Sequence, residues 1–464
     1  MPDQQSELSL QRITLTMVLL NAFTTPLMLS SVNVALPSIA TDLSMNAVSL
    51  SWIPMAYLMA SAMFVLTFGR IADMVGRKRI FLIGTSSVIV TSLIAAFAVS
   101  GTMLITARFL QGMSAAMMYA TQVAIVASVF PPAKRGRAIG LTVSTIYLGL
   151  TIGPLIGGYV IDNFGWRASF MVHIPLAVIV LVMGLFFVKG EWSADERGSF
   201  DLFGALLYIF SILLICISVS YLPSTLSLIL LTASLLGFFF FFLFERVHKH
   251  PMFDVTLFFT NRVFLFSCLA SLIIYTATFA NVVQVSLYLQ YLKGMSAVSA
   301  GMVMMCQPLT MAIFSPIAGR LSDKIEPRYL ASAGMLVSCI GLLLLSELQI
   351  ESDLNYLIAA LVTTGFGFSL FSSPNVSAIM GSIEKRAYGS ANGVVATMRI
   401  FGQMTSMVLV TLIFALTIGP VEIEPANYDE LAKAIRLTFT IAAILCLPGL
   451  YFSVARGKLR VTST

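Results

Sequence analysis

Apolar runs of roughly twenty residues recur from one end of this chain to the other, and they restrict its fold more than any other feature. Each run is long enough to cross the hydrocarbon core of a bilayer as a helix. Backbone groups in lipid must pair within their own segment, so the runs read as helices. The alternation of apolar and polar residues that a barrel strand needs is absent. Composition excludes an ordinary soluble domain: only 10% of the 464 residues are charged, against roughly 25% in soluble chains, and mean hydropathy is +0.93. The expected fold is an all-α integral membrane protein.

About fourteen spanning segments are expected, at 13–36, 51–69, 80–99, 103–130, 138–161, 166–188, 202–221, 226–245, 263–291, 298–319, 329–346, 354–381, 391–418 and 435–454. Polar linkers at 189–201 and 246–262 set off the seventh and eighth. The division that follows is a six-helix bundle at 1–188, a linker with two inserted spanning helices at 189–262, and a second six-helix bundle at 263–464. The first run is too long for a signal-peptide core and lacks a small-residue cleavage site, so it reads as a retained helix.

Orientation comes from the cations. With the N-terminus placed in the cytoplasm, only Arg167, Lys293, Lys433 and Arg436 of the 27 Lys and Arg fall on the outer side, and Arg108 and Arg399 fall inside segments. The rest face inward, as the positive-inside rule requires. Both termini are therefore expected in the cytoplasm, and the chain in the cell's inner (plasma) membrane. This distribution also explains the net charge of +6 without any nucleic-acid partner. The five Cys lie singly in apolar runs, with no metal-ligand spacing, so no metal, disulfide framework or cofactor is expected. No nucleophile–base pair or phosphate loop points to an enzyme.

One charged stretch, Gly69-Arg-Ile-Ala-Asp73-Met-Val-Gly76-Arg77-Lys78-Arg79, separates the second and third segments and reads as a hinge. It recurs as Gly319-Arg-Leu-Ser-Asp323-Lys324, 250 residues later. Lys134-Arg-Gly-Arg-Ala138 recurs more loosely as Lys385-Arg-Ala-Tyr-Gly389 at nearly the same offset. The two bundles are thus pseudo-equivalent, as in a transporter whose halves rock about a midplane site. Gly69 permits close helix approach. Asp73, at a helix end, is suited to a neighbouring helix N-terminus, and Arg77 with its neighbours anchors the loop. Duplication of the acid favours gating over anchoring alone.

In the fifth segment Gly149, Gly153 and Gly157 share one helix face, suited to backbone-close packing, and Pro154 can bend the helix. Arg108 stands inside an apolar run, where a charge is costly and a candidate for function. His173 is the one His within a segment; it can titrate near neutrality, and is equally open to reading as a His that bonds a backbone carbonyl. Asn33, Tyr57, Gln111, Gln284, Gln307 and Asn375 are further polar candidates for coupling or substrate binding, each also open to reading as interhelical glue.

These stretches together resemble the major facilitator superfamily, in its fourteen-helix drug:proton antiporter branch. Gly69–Arg79 resembles that family's loop motif nearly residue for residue; Arg108-Phe-Leu-Gln-Gly112 resembles its fourth-helix motif. Gly149-Leu-Thr-Ile-Gly-Pro-Leu-Ile-Gly-Gly158 resembles the fifth-helix motif of exporters. Val32-Asn-Val-Ala-Leu-Pro37 and the stretch from Gly165-Trp-Arg167 through Pro175 resemble signatures of the branch. The resemblance implies alternating access, a latch at the Gly69–Arg79 motif that breaks and reforms, a role for Arg108 in proton coupling or binding, and efflux of drug-type amphipathic molecules.

One position departs from that pattern. Where the branch carries an Asp in the first segment this chain has Met28, and every one of the 21 acids falls in a loop, terminus or segment end. A buried carboxylate is the usual counter-ion of a cationic substrate. Neutral, zwitterionic or anionic substrates are therefore expected over dications. Protons, if coupled, must use His173 or a peripheral acid such as Asp42 or Asp162; uncoupled or potential-driven transport stays open. The expected partners are a small-molecule substrate, the lipid bilayer and protons, with the chain acting as a monomer. A dedicated transporter of one metabolite, lipid or siderophore, and a non-transporting sensor on the same scaffold, are the alternatives.

Overall fold

The computed structural model describes residues 4–193, 200–221, 224–248, 258, 260–322, 324–383 and 388–457. The first six helices are α1 (Gln4–Asp42), α2 (Ala47–Val75), α3 (Arg77–Ala96), α4 (Gly101–Val129), α5 (Pro132–Phe164) and α6 (Trp166–Phe187). The pair α7 (Leu202–Ser220) and α8 (Thr225–Val247) follows. Then come α9 (Arg262–Leu292), α10 (Ala297–Ser322), α11 (Pro327–Ser346), α12 (Leu354–Gly381), α13 (Tyr388–Thr417) and α14 (Tyr428–Ala455). Thirteen are long and apolar enough to cross a membrane; α7 supplies a shorter apolar helix. The chain is an all-helical membrane protein.

Local chemistry sets the helix ends. Asn46, Ser100, Ser224, Asn261 and Ser296 each cap a helix by accepting a backbone N–H from three residues on. Several helices outrun their apolar segments. α1 starts at Gln4 rather than at 13, and α14 at Tyr428 rather than at 435. Polar turns continue the helix into water, and Asp429 and Glu430 suit the positive end of α14.

The motif at 69–79 is mostly helix rather than a loop. α2 runs on to Val75, and the break is the single residue Gly76, at φ 127°. No residue between Gly69 and Val75 breaks a helix, whereas the conformation at Gly76 is one that side-chain-bearing residues avoid.

Pairing within the halves repeats. α2 packs on α4 as α10 packs on α12; α1 packs on α5 as α9 packs on α13; α3 packs on α4 as α11 packs on α12. The pair α7–α8 lies along α2 and α13, with Tyr208 Oη donating to Ala62 O at 3.0 Å and Phe238 edge-on to Phe401.

Across the halves, α10 packs on α5 and α13 on α2. Among the described residues, hydrogen bonds between the halves gather toward the face opposite the termini. Ala47 N donates to Val421 O at 2.9 Å, Gln290 Nε2 donates to Val34 O at 2.9 Å, and the Ser51 and Thr411 hydroxyls are 2.9 Å apart.

Candidate functional site

The buried polar centre of the first half is built by close approach of α2 and α4. A Cβ at Gly112 would collide with the Tyr57 carbonyl oxygen, so only Gly lets these backbones meet. Ser61 Oγ donates to Gly112 O at 3.0 Å across the same contact. This brings α2 over Arg108, which is wholly buried. Arg108 Nε donates to Ile53 O at 3.3 Å and Nη1 donates to Gln111 Oε1, one turn along α4. The guanidinium lies 4.5 Å from the centre of the Tyr57 ring. These contacts offset part of the cost of a buried cation that no carboxylate faces among the described residues.

The chain of contacts continues to α6. Gln111 Nε2 donates to Ser92 Oγ at 2.7 Å, and Ser92 Oγ lies 2.8 Å from His173 Nε2. Ser92 gives its one proton to Val88 O at 2.5 Å. The hydrogen between Ser92 and His173 therefore sits on Nε2, which leaves Nδ1 a bare, buried acceptor. Arg108, Gln111, Tyr57 and His173, chosen separately from sequence, thus form one network. Ser92 was not foreseen, because a lone Ser in an apolar helix carries no signal. On the other side the Tyr57 and Tyr119 hydroxyls are 3.2 Å apart.

The other polar candidates lie elsewhere. Asn33 is buried in α1, and its Oδ1 has no partner among the described residues. Gln284 Nε2 donates to Thr438 Oγ1 of α14 at 2.8 Å. The backbone of Gln307 packs beneath Gly365 of α12. Asn375 belongs to a second buried guanidinium, that of Arg456 just past α14. Arg456 donates to Asn375 Oδ1 at 2.7 Å, to Ser267 Oγ at 3.1 Å and to Ser453 Oγ at 2.9 Å. Burial pulls Arg456 down to about 10, so it stays charged at neutral pH. It ties α9, α12 and α14 together at one end of the second half. Arg456→Ala strips a charged donor from three buried partners and is expected to cost about 2–3 kcal/mol, read as a lower melting temperature in detergent.

At the repeated motif, Asp73 pairs with Arg77 (2.8 Å), and Arg77 Nη1 donates to Ser128 Oγ of α4 at 2.8 Å. Glu191, from the segment after α6, is the acid seated on a helix N-terminus: it accepts from Lys78 N at 2.8 Å and Arg79 N at 3.1 Å, at the start of α3. Gly76 leaves room for it, since a Cβ there would meet the Glu191 side chain. In the repeat, Gly319 packs against Ser373 of α12, and Asp323 lies outside the described residues. Asp73→Asn removes the charge that orders Arg77. Transport is expected to fall several-fold with normal insertion; full activity in a vesicle assay would reduce the motif to anchoring.

On α5, Gly149, Gly153 and Gly157 all face α1, over Phe23, Ser30 and Ser31. Gly158 faces the other half: a Cβ there would collide with Ala297 O of α10. Gly301 of α10 makes the reciprocal approach to the Pro154 carbonyl. Asp162, near the end of α5, accepts from Ala297 N at 3.2 Å and Val298 N at 3.1 Å, at the N-terminus of α10. A cavity of about 290 Å³ beside it is lined by Pro37, Ser38, Thr41, Gln290 and Tyr291 among others. Asp42 at the end of α1 is held by Arg167 (2.7 Å) and Trp166 (3.0 Å).

The profile of the Major Facilitator Superfamily matches residues 18–267 and 267–463. The riboflavin transporter RibZ of Clostridioides difficile is 30% identical over 442 residues, covering 95% of this chain and 96% of that protein. The multidrug resistance protein Stp of Mycobacterium tuberculosis is 31% identical over 378 residues, 80% of this chain and 70% of that one. A POT family transporter solved with a thioalcohol-conjugated peptide superimposes with a TM-score of 0.73 over 96% of each chain, at 17% identity, which speaks to fold alone. With two matched halves and a full-length relative at this identity, the chain belongs to the Major Facilitator Superfamily.

Proposed function

We propose that this protein exports neutral, zwitterionic or anionic amphipathic small molecules by alternating access, with both termini on the cytoplasmic side of the inner membrane and one chain as the working unit. The observation that carries the charge preference is Arg108, a fully buried cation with no carboxylate against it among the described residues. The described acids on the spanning helices stand at helix ends, as Asp42, Asp73, Asp162 and Glu245 do. A dication entering such a site would meet positive charge without a counter-ion. Export rests on the resemblance of the α5 glycine motif to exporters and on its use in the seam between the halves. Proton coupling, in this reading, uses Asp162 on the α10 N-terminus, since a proton on His173 would add a second uncompensated charge beside Arg108.

Inverted vesicles supplied with one uncharged and one dicationic aromatic dye, with and without a pH gradient, test this. The uncharged dye is expected to accumulate and the dication to be excluded. Preference for the dication overturns the charge argument, and accumulation unaffected by the gradient removes the proton. A second reading, a carrier dedicated to one flat metabolite, is favoured by the relative RibZ, described as a riboflavin transporter and matched over 95% of this chain. Competition by riboflavin, which is flat and uncharged, distinguishes the two.

A further inference from the structure

Among the described residues, the hydrogen bonds that join the halves on the face opposite the termini are neutral, with one exception. Backbone, amide and hydroxyl groups make the contacts of Ala47 with Val421, Gln290 with Val34 and Ser51 with Thr411. None of these groups gains or loses a proton near neutrality. The exception is Asp162 of α5, which accepts from Ala297 N and Val298 N, the first two N–H groups of α10 in the other half.

The local chemistry fits the acid to that place. Ser296 Oγ caps α10 by accepting from Ser299 N, two residues beyond the N–H groups of Ala297, which leaves those of Ala297 and Val298 to Asp162. One turn away in each helix, Gly158 and Gly301 let the two backbones meet. The surroundings supply no other charge. The cavity of about 290 Å³ beside Asp162 is lined by Ser38 and Thr41 of α1, by Gln290 of α9 and by one further titratable side chain, Tyr291, and a phenol is neutral near pH 7. The neighbouring ions are engaged elsewhere: Asp42 with Arg167 of α6, and Lys293 with Ser352 O at 2.7 Å. An ionised Asp162 is therefore held across the seam by two charge-assisted bonds and the positive end of α10. A proton on it removes the attraction to the dipole and leaves only weaker neutral bonds.

We propose that Asp162 is a latch worked by the proton from the outer side: ionised, it keeps α5 on α10 and that face closed; protonated, it releases the α10 N-terminus and lets the face open. The proton passes from outer water to one carboxylate oxygen, and its loss restores both bonds. Closure favours the ionised acid, so the closed state is favoured at higher pH and lost as the outer side turns acidic. This deepens the coupling role given to Asp162 above and rests on that reading; it adds which face the proton opens, with or without substrate.

The test is pulsed electron resonance on the full chain in lipid, with no substrate. Spin labels are placed at Val99→Cys, between α3 and α4, and Glu351→Cys, between α11 and α12, both exposed and remote from the latch. Cys306 is replaced by Ser, and the other four Cys are buried. Going from about pH 8 to about pH 4, a range that spans the ordinary titration of an aspartate, the population with the longer separation is expected to rise at least about threefold. Asp162→Asn, fixed in the uncharged form, is expected to show the longer separation at both ends of the range, and Asp162→Glu to keep a response to pH. A wild type whose distances ignore pH overturns the latch. So does an Asp162→Asn variant that keeps the full response or stays closed throughout. The distances are read without transport: if they follow Asp162 while dye accumulation ignores the pH gradient, the coupling reading fails and the latch stands. If the gradient drives dye while the distances stay fixed, the latch fails alone.

Discussion

Arg108→Ala is expected to lower transport at least about tenfold at matched membrane levels, with the protein still inserted. The guanidinium holds Ile53 O and Gln111 Oε1 and lies against Tyr57, all in the buried centre of the first half. Its removal leaves the buried Gln111 Oε1 without its donor, at about 1–3 kcal/mol, and frees Gln111 from the orientation that carries the network to Ser92 and His173. Arg108→Lys is expected to recover little, because an ammonium cannot reproduce the planar set of contacts. Uptake by vesicles checks both, and a fully active alanine variant would show that the network does not serve transport.

Gly158→Leu should do comparable damage by a different route. The new side chain would stand where Ala297 O of α10 now lies, so α5 and α10 cannot close on each other. The variant is expected to fold, to lose about tenfold or more of its transport, and to rest open on the face opposite the termini. A Ser38→Cys reporter in the adjoining cavity would then react faster with an impermeant maleimide than in the parent. Unchanged labelling would show that the seam closes elsewhere. Gly157→Leu, one residue away, faces Ser31 of α1 and should instead destabilise the first half.

The fourteen helices were legible because a lipid-crossing helix must be written as one long apolar run, and few other folds demand that. Their ends were less legible. Polar turns of α1 and α14 extend into water, and the motif at 69–79 continues α2 until Gly76. Arg108 announced itself as a charge in an apolar run. Its surroundings did not, since Ile53 O meets Arg108, and Ser92 meets Gln111, only through tertiary packing. The same holds for Glu191, distant in sequence from the α3 N-terminus it caps, and for Arg456, which reads as one more cation of a terminal tail until packing buries it. Gly158 looked like the end of a glycine run, and only the fold separates it from the three glycines that face α1.

The most direct test of the account is whether the two faces of the seam move in opposition. Spin labels at Ser38 and Ser296 report the face where Asp162 meets α10, and labels at Ser128 and Ser377 report the face bearing the termini. Adding a transported substrate should lengthen one distance as the other shortens, measured by pulsed electron resonance in lipid. Two distances that stay fixed, or that change together, while the same preparation transports substrate would contradict alternating access through this seam.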